Sequence, residues 1–345
     1  MTTALGGLSP LSSARTVQAD CLRLHAKADD MASVSPTIER LSLGRRRDGD
    51  VLVEVVAAAV NPSDVKAAIG LMPYAVFPRT PGRDFAGVVI DGPTHLVGKQ
   101  VFGSSGDLGI RCDGAHATHL VVEADGVVEA PVGVGLREAA GIGVPFVTAL
   151  EGFRRAGLPQ RGDTVLVLGV NGKVGQAATQ IATWRGARVI GVTRKPEAYI
   201  GHANAPIEIL DASSVDVSQG VLALTEGRGA DIVFNTVGDP YYEAGVQSMA
   251  KLGRQIFIAA VNRIVAFDIF AFYRGRHSYV GIDTLALSSP ETADILRELA
   301  PGFVSGHLKP FPIHAGAVYP LTAARDAYVA VLGSARDRII LQPGG

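Results

Sequence analysis

Val165-Leu166-Val167-Leu168-Gly169-Val170-Asn171-Gly172-Lys173-Val174-Gly175 reads as a short apolar strand running straight into a turn with glycine at every third position. The segment that follows, Gln176 to Trp184, has the length and composition of a helix. A glycine at the strand end permits a tight turn, a second lets backbone N–H groups approach a pyrophosphate, and a third lets the helix pack close to the sheet. The helix N-terminus then faces the phosphates with its partial positive charge. The candidate phosphate cradle is therefore Gly169, Asn171, Gly172, Lys173, Val174 and Gly175.

Further β-rich runs, Arg188-Val192, Asp231-Asn235 and Gln255-Ala259, alternate with helix-length segments, which is the pattern of βαβ units and a parallel sheet. Sites that prefer NAD place an acid about twenty residues beyond the turn, on the ribose 2′-hydroxyl. Here the next strand ends in Thr193-Arg194-Lys195. Two cations and a hydroxyl suit a 2′-phosphate, so NADPH is the expected cofactor.

On the N-terminal side, Val51-Val56, Ala86-Ile90 and Ala117-Val122 are short apolar runs broken by turn residues, a mostly β region. Val51 to Val60 is interrupted by Glu54 and is too short to span a bilayer, so it is expected as a buried strand. On the C-terminal side, Pro290 to Glu298 and Leu321-Leu332 read as helices and Ile339-Leu341 as a final strand that returns to the first domain. The chain has 345 residues, 47% of them hydrophobic and 19% charged, which predicts a folded protein of two domains. A formal net charge of -1 leaves no basic footprint for nucleic acid. Two cysteines, Cys21 and Cys112, are too few for a disulfide framework, and the first residues lack the pattern of a signal peptide; a cytoplasmic protein without a membrane or nucleic-acid partner is expected.

Beyond the glycine turn, the chain contains Asn61-Pro62-Ser63-Asp64, Pro81-Gly82-Arg83-Asp84-Phe85-Ala86-Gly87 and Gly143-Val144-Pro145 followed by Thr148-Ala149. Later come the stretch from Gly229 to Gly238 and Arg338-Ile339-Ile340-Leu341-Gln342-Pro343. With these motifs in this order, the sequence resembles the medium-chain dehydrogenase/reductase superfamily from about Val17 to Pro343, in its zinc-independent, quinone oxidoreductase-like branch. The resemblance implies an α/β protein: a GroES-like β-rich domain plus a Rossmann domain with a doubly wound parallel sheet, and an active site in the cleft between them. The expected division is a flexible tail over residues 1–16, the first part of the GroES-like catalytic domain over 17–140, the Rossmann NADPH-binding domain over 141–285, and a segment completing the catalytic domain over 286–345. A homodimer or homotetramer is implied as well. Thr148, Asn235, Val237, Gly238 and Ala259 join the expected cofactor contacts.

Zinc-dependent members carry a Cys in the first motif, a His-Glu pair in the second and a Cys in the third; here those positions match Asn61, Arg83-Asp84 and Val144. One Asp cannot make the three-ligand site of a catalytic zinc, so no metal is expected. His116 and His119 are expected on opposite faces of one strand, and Arg83 and Asp84 as a pair in the domain core. In the enoyl-thioester reductases the first motif is followed by a tyrosine acting as proton donor or orienter. That slot falls on Met72, with Tyr74 two residues later, which leaves Tyr74 as an acid or as a packed aromatic. Asn61 is a candidate donor to the substrate carbonyl or orienter of a water at the nicotinamide site, with Asp64 beside it; the alternative is a helix N-cap by Ser63 or Asp64. Phe146, Phe270, Phe272 and Tyr273 are the expected apolar wall, with Arg274 and Arg276 able to bind a carboxylate or phosphate. The implied activity is NADPH-dependent reduction of a quinone or an activated C=C (enal, enone or enoyl thioester). A non-catalytic NADPH-binding relative, serving as a structural or interaction protein, is the other reading.

Overall fold

The computed structural model describes residues 15–344, apart from Pro73 and Ser334. Most of the expected tail therefore lies outside the described residues, and its last residue, Thr16, already opens a strand.

A two-stranded antiparallel ribbon, β1 (Thr16–Arg23) with β2 (Thr37–Gly44), leads into β3 (Asp50–Ala59). The short helix α1 (Pro62–Ala68) follows, then β4 (Asp84–Asp91), β5 (Gln100–Ser104), β6 (His119–Glu123) and β7 (Val128–Glu129). The long helix α2 (Leu136–Ala156) joins this β-rich half to a run of alternating elements. These are β8 (Thr164–Leu168), α3 (Lys173–Trp184), β9 (Arg188–Thr193), β10 (Glu208–Asp211), α4 (Val217–Leu224), β11 (Ala230–Asn235), α5 (Tyr242–Ser248), β12 (Met249–Phe257), α6 (Ile269–Gly275) and β13 (Ser278–Gly281). The chain ends with α7 (Ser289–Val304), β14 (Val318–Pro320), α8 (Ala324–Leu332) and β15 (Ile340–Gln342).

Strands β8 to β13 form one parallel sheet in the order β10-β9-β8-β11-β12-β13. The order reverses between β8 and β11, and in such sheets ligands bind beyond the carboxyl ends of the strands at that switch point. β8 is buried at every position, the mark of a central parallel strand covered by helices on both faces. The second sheet runs β14-β15-β3-β4-β5-β7, with β6 also on β3. β15 pairs antiparallel with β3 through Ile340↔Ala59 and Leu341↔Ala58, so the C-terminal segment completes the first sheet. Val51, Leu52 and Val53 are fully buried on β3 while Glu54 faces out, as its apolar run predicts. No helix among the described residues is long and apolar enough to cross a membrane.

Several expectations change. α3 starts at Lys173 and not Gln176, so Lys173, Val174 and Gly175 are its first turn. His116 precedes β6, is fully buried, and bonds through Nδ1 to the Tyr328 hydroxyl at 2.8 Å; burial pushes its pKa down to about 4. Phe146 lies in the core against Phe303 and Phe311, while Phe270 and Tyr273 on α6 are exposed, so these residues build no common wall. Apolarity alone could not say which side of an element an aromatic faces.

Candidate cofactor and acceptor cleft

The turn after β8 is shaped by what its glycines exclude. Gly169 has φ +81°, and a Cβ there would meet the Thr236 hydroxyl at 2.6 Å. A Cβ on Gly175 would overlap the Gly169 carbonyl oxygen, so the third glycine lets α3 sit on the turn itself. Gly172 is different: a Cβ there would meet only that carbonyl, at 3.3 Å, and otherwise open space. No side chain caps the N-terminus of α3, whose first N–H groups are left for a ligand.

That open space belongs to a cleft of about 640 Å³. One wall is Asn171, Gly172, Lys173, Val174, Arg194, Lys195, Thr236 and Ile258, from the carboxyl ends of β8, β9, β11 and β12; the other includes Asn61, Val144, Arg336, Arg338 and Ile339. Arg194 and Lys195 are exposed, and neither pairs with a carboxylate among the described residues. Thr193 is buried beside them, and its hydroxyl turns toward the Leu210 carbonyl at 3.4 Å instead of the cleft. The Asn171 carboxamide is occupied by Ala198 O and Ile200 N, pinning the loop beyond β9. Asn235 is fully buried, accepts from the N–H groups of Val237 and Gly238 and donates to Gly238 O; it shapes the turn that presents Thr236. Ala259 is half-buried behind Ile258, and Thr148 is buried within α2. Lys173 donates to the Arg336 carbonyl, and burial lowers its pKa to about 8.

Under the opposite wall lies a buried polar network. Pro145, inside α2, has no N–H to offer the carbonyl of Gly141, and that carbonyl accepts from Arg338 Nε at 3.0 Å instead. Val144 N–H donates to the Asp84 carboxylate at 3.0 Å. Arg338 Nη2 lies 2.9 Å from both Asp84 Oδ2 and Asn61 Oδ1, and Asn61 Nδ2 donates to Asp84 Oδ2 at 2.9 Å. The expected Arg83–Asp84 pair is thus an Arg338–Asp84 pair. Adjacent residues at a strand start point to opposite faces, which sends Arg83 elsewhere. Asn61 occupies the cap position of α1, and Asp64, third in the helix, reaches back to its N–H at 2.8 Å. The N-cap is therefore neither Ser63 nor Asp64. Asp64 is fully buried and touches no open space; burial pushes its carboxyl up to about 7. Tyr74 is 39% exposed, lies outside the cleft lining and sits under the Arg111 guanidinium at 5.4 Å. Sequence reasoning missed Arg336 and Arg338 as cleft residues; two cations just before the apolar run Ile339-Ile340-Leu341 were the available signal.

The three positions that carry metal ligands in zinc-dependent relatives do converge here, through the Asp84 carboxylate. Their donors do not fit zinc. Asn61 has both ends of its amide engaged, Arg83 is a cation, Val144 has no donor side chain, and Asp84 is neutralised by Arg338. Among the described residues, no three His, Cys, Asp or Glu side chains come together as a metal site.

Residues 47–132 match the family "Alcohol dehydrogenase GroES-like domain", and residues 174–300 match "Zinc-binding dehydrogenase". The chain is 35% identical over 277 residues to a zinc-type alcohol dehydrogenase-like protein of Schizosaccharomyces pombe, across 79% of this chain and 81% of that one. It is 32% identical over 300 residues to the phthioceranic/hydroxyphthioceranic acid synthase of Mycobacterium tuberculosis, across 83% of this chain and 14% of the synthase. An alcohol dehydrogenase superfamily protein from Novosphingobium aromaticivorans superposes with a TM-score of 0.80 at 26% identity, covering 95% of this chain and 100% of that one.

Proposed function

The chain belongs to the medium-chain dehydrogenase/reductase superfamily, and from that membership we propose that it uses NADPH to reduce a quinone or an activated C=C without zinc. The observation that carries the reading is one cleft that holds, on facing walls, the uncapped start of α3 with Arg194 and Lys195, and Asn61 with Val144. When bound, NADPH supplies the hydride. The chain's own part is to hold and orient: backbone N–H groups at Lys173 to Gly175 face the pyrophosphate, and Arg194 and Lys195 take the 2′-phosphate. Asn61 is held in one orientation by Arg338 and Asp84 at the other wall, as a donor toward the acceptor. Burial and the nearby Asp283 raise the pKa of Tyr74, the tyrosine expected as proton donor, but it lies outside the cleft lining, so the proton that completes the product comes from solvent. Asp64 contributes through the placement of Asn61. The reading without zinc rests on the donor set described above, even though the matching family and relative bear zinc in their names. A homodimer or homotetramer in the reducing cytoplasm is part of the same proposal. Exposed apolar side chains at Ile264, Ile269, Phe270 and Tyr273 favour self-association, and both cysteines are free thiols.

The test is oxidation of NADPH and NADH by purified protein against a panel of quinones, enals, enones and enoyl thioesters, with metal content measured alongside. Charge-assisted contacts of roughly 1.5–3 kcal/mol predict that NADPH binds about tenfold to a hundredfold more tightly than NADH. Arg194→Ala with Lys195→Ala should remove most of that preference. Tight NADPH binding with no turnover on any acceptor would instead identify a binding protein, and one zinc per chain needed for activity would overturn the metal-free site.

A further inference from the structure

One ion pair joins the two walls of the cleft. Arg336, from the C-terminal segment, places Nη2 2.7 Å from Oε2 of Glu197, which stands on the nucleotide wall four residues past the end of β9. The loop that carries Glu197 is pinned to the phosphate turn, because Ala198 O and Ile200 N both bond the Asn171 carboxamide. The Arg336 carbonyl in turn accepts from the Lys173 ammonium, at the first turn of α3. The pair therefore stands at the phosphate end of the cleft, two residues along the chain from Lys195. The Arg336 side chain is 63% exposed, and the bond to Glu197 is its one hydrogen bond among the described residues. A guanidinium has five N–H donors, so four remain, in a cleft lined also by Arg194 and Lys195.

Both partners bear on the ribose of a dinucleotide. A carboxylate about twenty residues beyond the glycine turn is the group that holds a ribose 2′-hydroxyl in NAD sites, whereas a nearby Arg accommodates a 2′-phosphate. Glu197 lies at that spacing from Gly175. The other acid on the cleft, Asp337, belongs to the opposite wall and lies 3.7 Å from His314. Left unpaired, Glu197 would accept from a 2′-hydroxyl and repel a 2′-phosphate. Paired with Arg336, it is engaged against the first and neutralised against the second. An exposed ion pair contributes little in water, so a phosphate dianion that offers two oxygens to the guanidinium fork competes well for Arg336 or shares it.

We infer that Arg336 is a specificity-determining residue of the cofactor site. It masks Glu197, an acid that would otherwise hold the 2′-hydroxyl of NADH, and it lends its remaining donors, with Arg194 and Lys195, to the 2′-phosphate of NADPH. This rests on the NADPH reading above. The C-terminal segment thereby takes part in reading the cofactor, and the 2′-phosphate is held from both walls of the cleft.

The test is a comparison of binding and needs no turnover. NADPH and NADH are titrated, by the fluorescence of the reduced nicotinamide, into wild type, Arg336→Met, Arg336→Lys, Glu197→Gln and the double variant Arg336→Met with Glu197→Gln. Arg336→Met keeps the carbonyl that Lys173 bonds, and should weaken NADPH by about tenfold or more while tightening NADH by a few-fold. Arg336→Lys, which keeps the charge and loses the fork, should fall between. Glu197→Gln should bind NADPH as tightly as wild type or more so, and the double variant should lose the gain in NADH affinity. Calorimetry with 2′,5′-ADP and AMP, which differ only in the 2′-phosphate, should show the Arg336→Met loss for the first alone. Equal weakening of NADPH and NADH by Arg336→Met would assign the guanidinium to the pyrophosphate and overturn the inference. So would an NADPH preference that Arg336→Met leaves unchanged, or an NADH gain that survives in the double variant; in each case the NADPH reading stands. Equal affinities for the two cofactors in wild type would remove that reading itself, and the inference with it.

Discussion

Asp64 shows how one buried side chain sets a pH response. Burial is the main reason its carboxyl rises to about 7, with Asp84 adding to the rise and the Asn61 N–H, Arg83 and Arg338 opposing it. Its Oδ1 has no hydrogen-bond partner, which suits a protonated carboxyl better than a carboxylate. The sign follows from linkage. The unfolded chain gives up this proton near 3.8 and the native one only near 7, so this contribution is complete below about 4 and is lost as pH rises to about 7. The upper limit of the loss is roughly 4 kcal/mol. Asp64→Asn keeps the acceptor for Asn61 N–H and has no proton to lose, so it should be more stable than wild type at pH 8 and lose less stability between pH 5 and 8. Denaturant unfolding at both pH values checks this, and parallel pH dependences for the two proteins would show that Asp64 is ionised throughout.

At the scale of the element, the turn and α3 act as one unit whose glycines have separable tasks. Gly172→Ala adds a methyl that meets almost no protein, in extended backbone at φ -67° that any residue adopts. Its melting temperature should hardly change while NADPH affinity falls, since the methyl projects into the space a pyrophosphate needs. Gly175→Ala drives a methyl into the Gly169 carbonyl and against Val170, so both stability and affinity should fall, the stability by about 1–3 kcal/mol. Melting curves and NADPH titration of the two variants decide it; equal loss of stability in both would refute the division of labour. α2 carries a comparable device: Pro145 leaves the Gly141 carbonyl free for Arg338, and Val144 N–H finds Asp84, so the helix is tied to the first sheet and the C-terminal segment together.

Across the whole molecule, Arg338 is the tie between distant parts of the chain. It bonds Val60, Asn61 and Asp84 of the first sheet's half and Gly141 of α2, from a position two residues before the closing strand β15. Removing it leaves Asp84 buried and unpaired, a change that typically costs about 3–5 kcal/mol. Arg338→Met should therefore destabilise the protein by that much, and Arg338→Met with Asp84→Asn should recover part of the loss, because the uncompensated charge is gone. Denaturant unfolding of the single and double variants measures both; a double variant no more stable than the single one would mean that Arg338 matters for its packing and not for its charge.

The sequence alone determined the two-domain α/β architecture, the parallel sheet, the glycine turn and the cations beyond β9. Those features depend on local periodicity and on neighbours a few residues apart. It also located Asn61, Asp84 and Val144 as positions that belong together, by resemblance. Only the tertiary structure decided which partner each polar group takes: Asp84 with Arg338, 254 residues away, and Arg83 with Thr284, 201 residues away. It likewise decided that Thr193 and Asn235 turn inward to shape the site, leaving Thr236 and Ile258 on its surface, and that Phe146 is core while Phe270 is exposed. The physical reason is that residue type fixes what a side chain can bond or bury, whereas orientation and partner are set by packing between segments far apart in the chain, which a linear pattern does not encode.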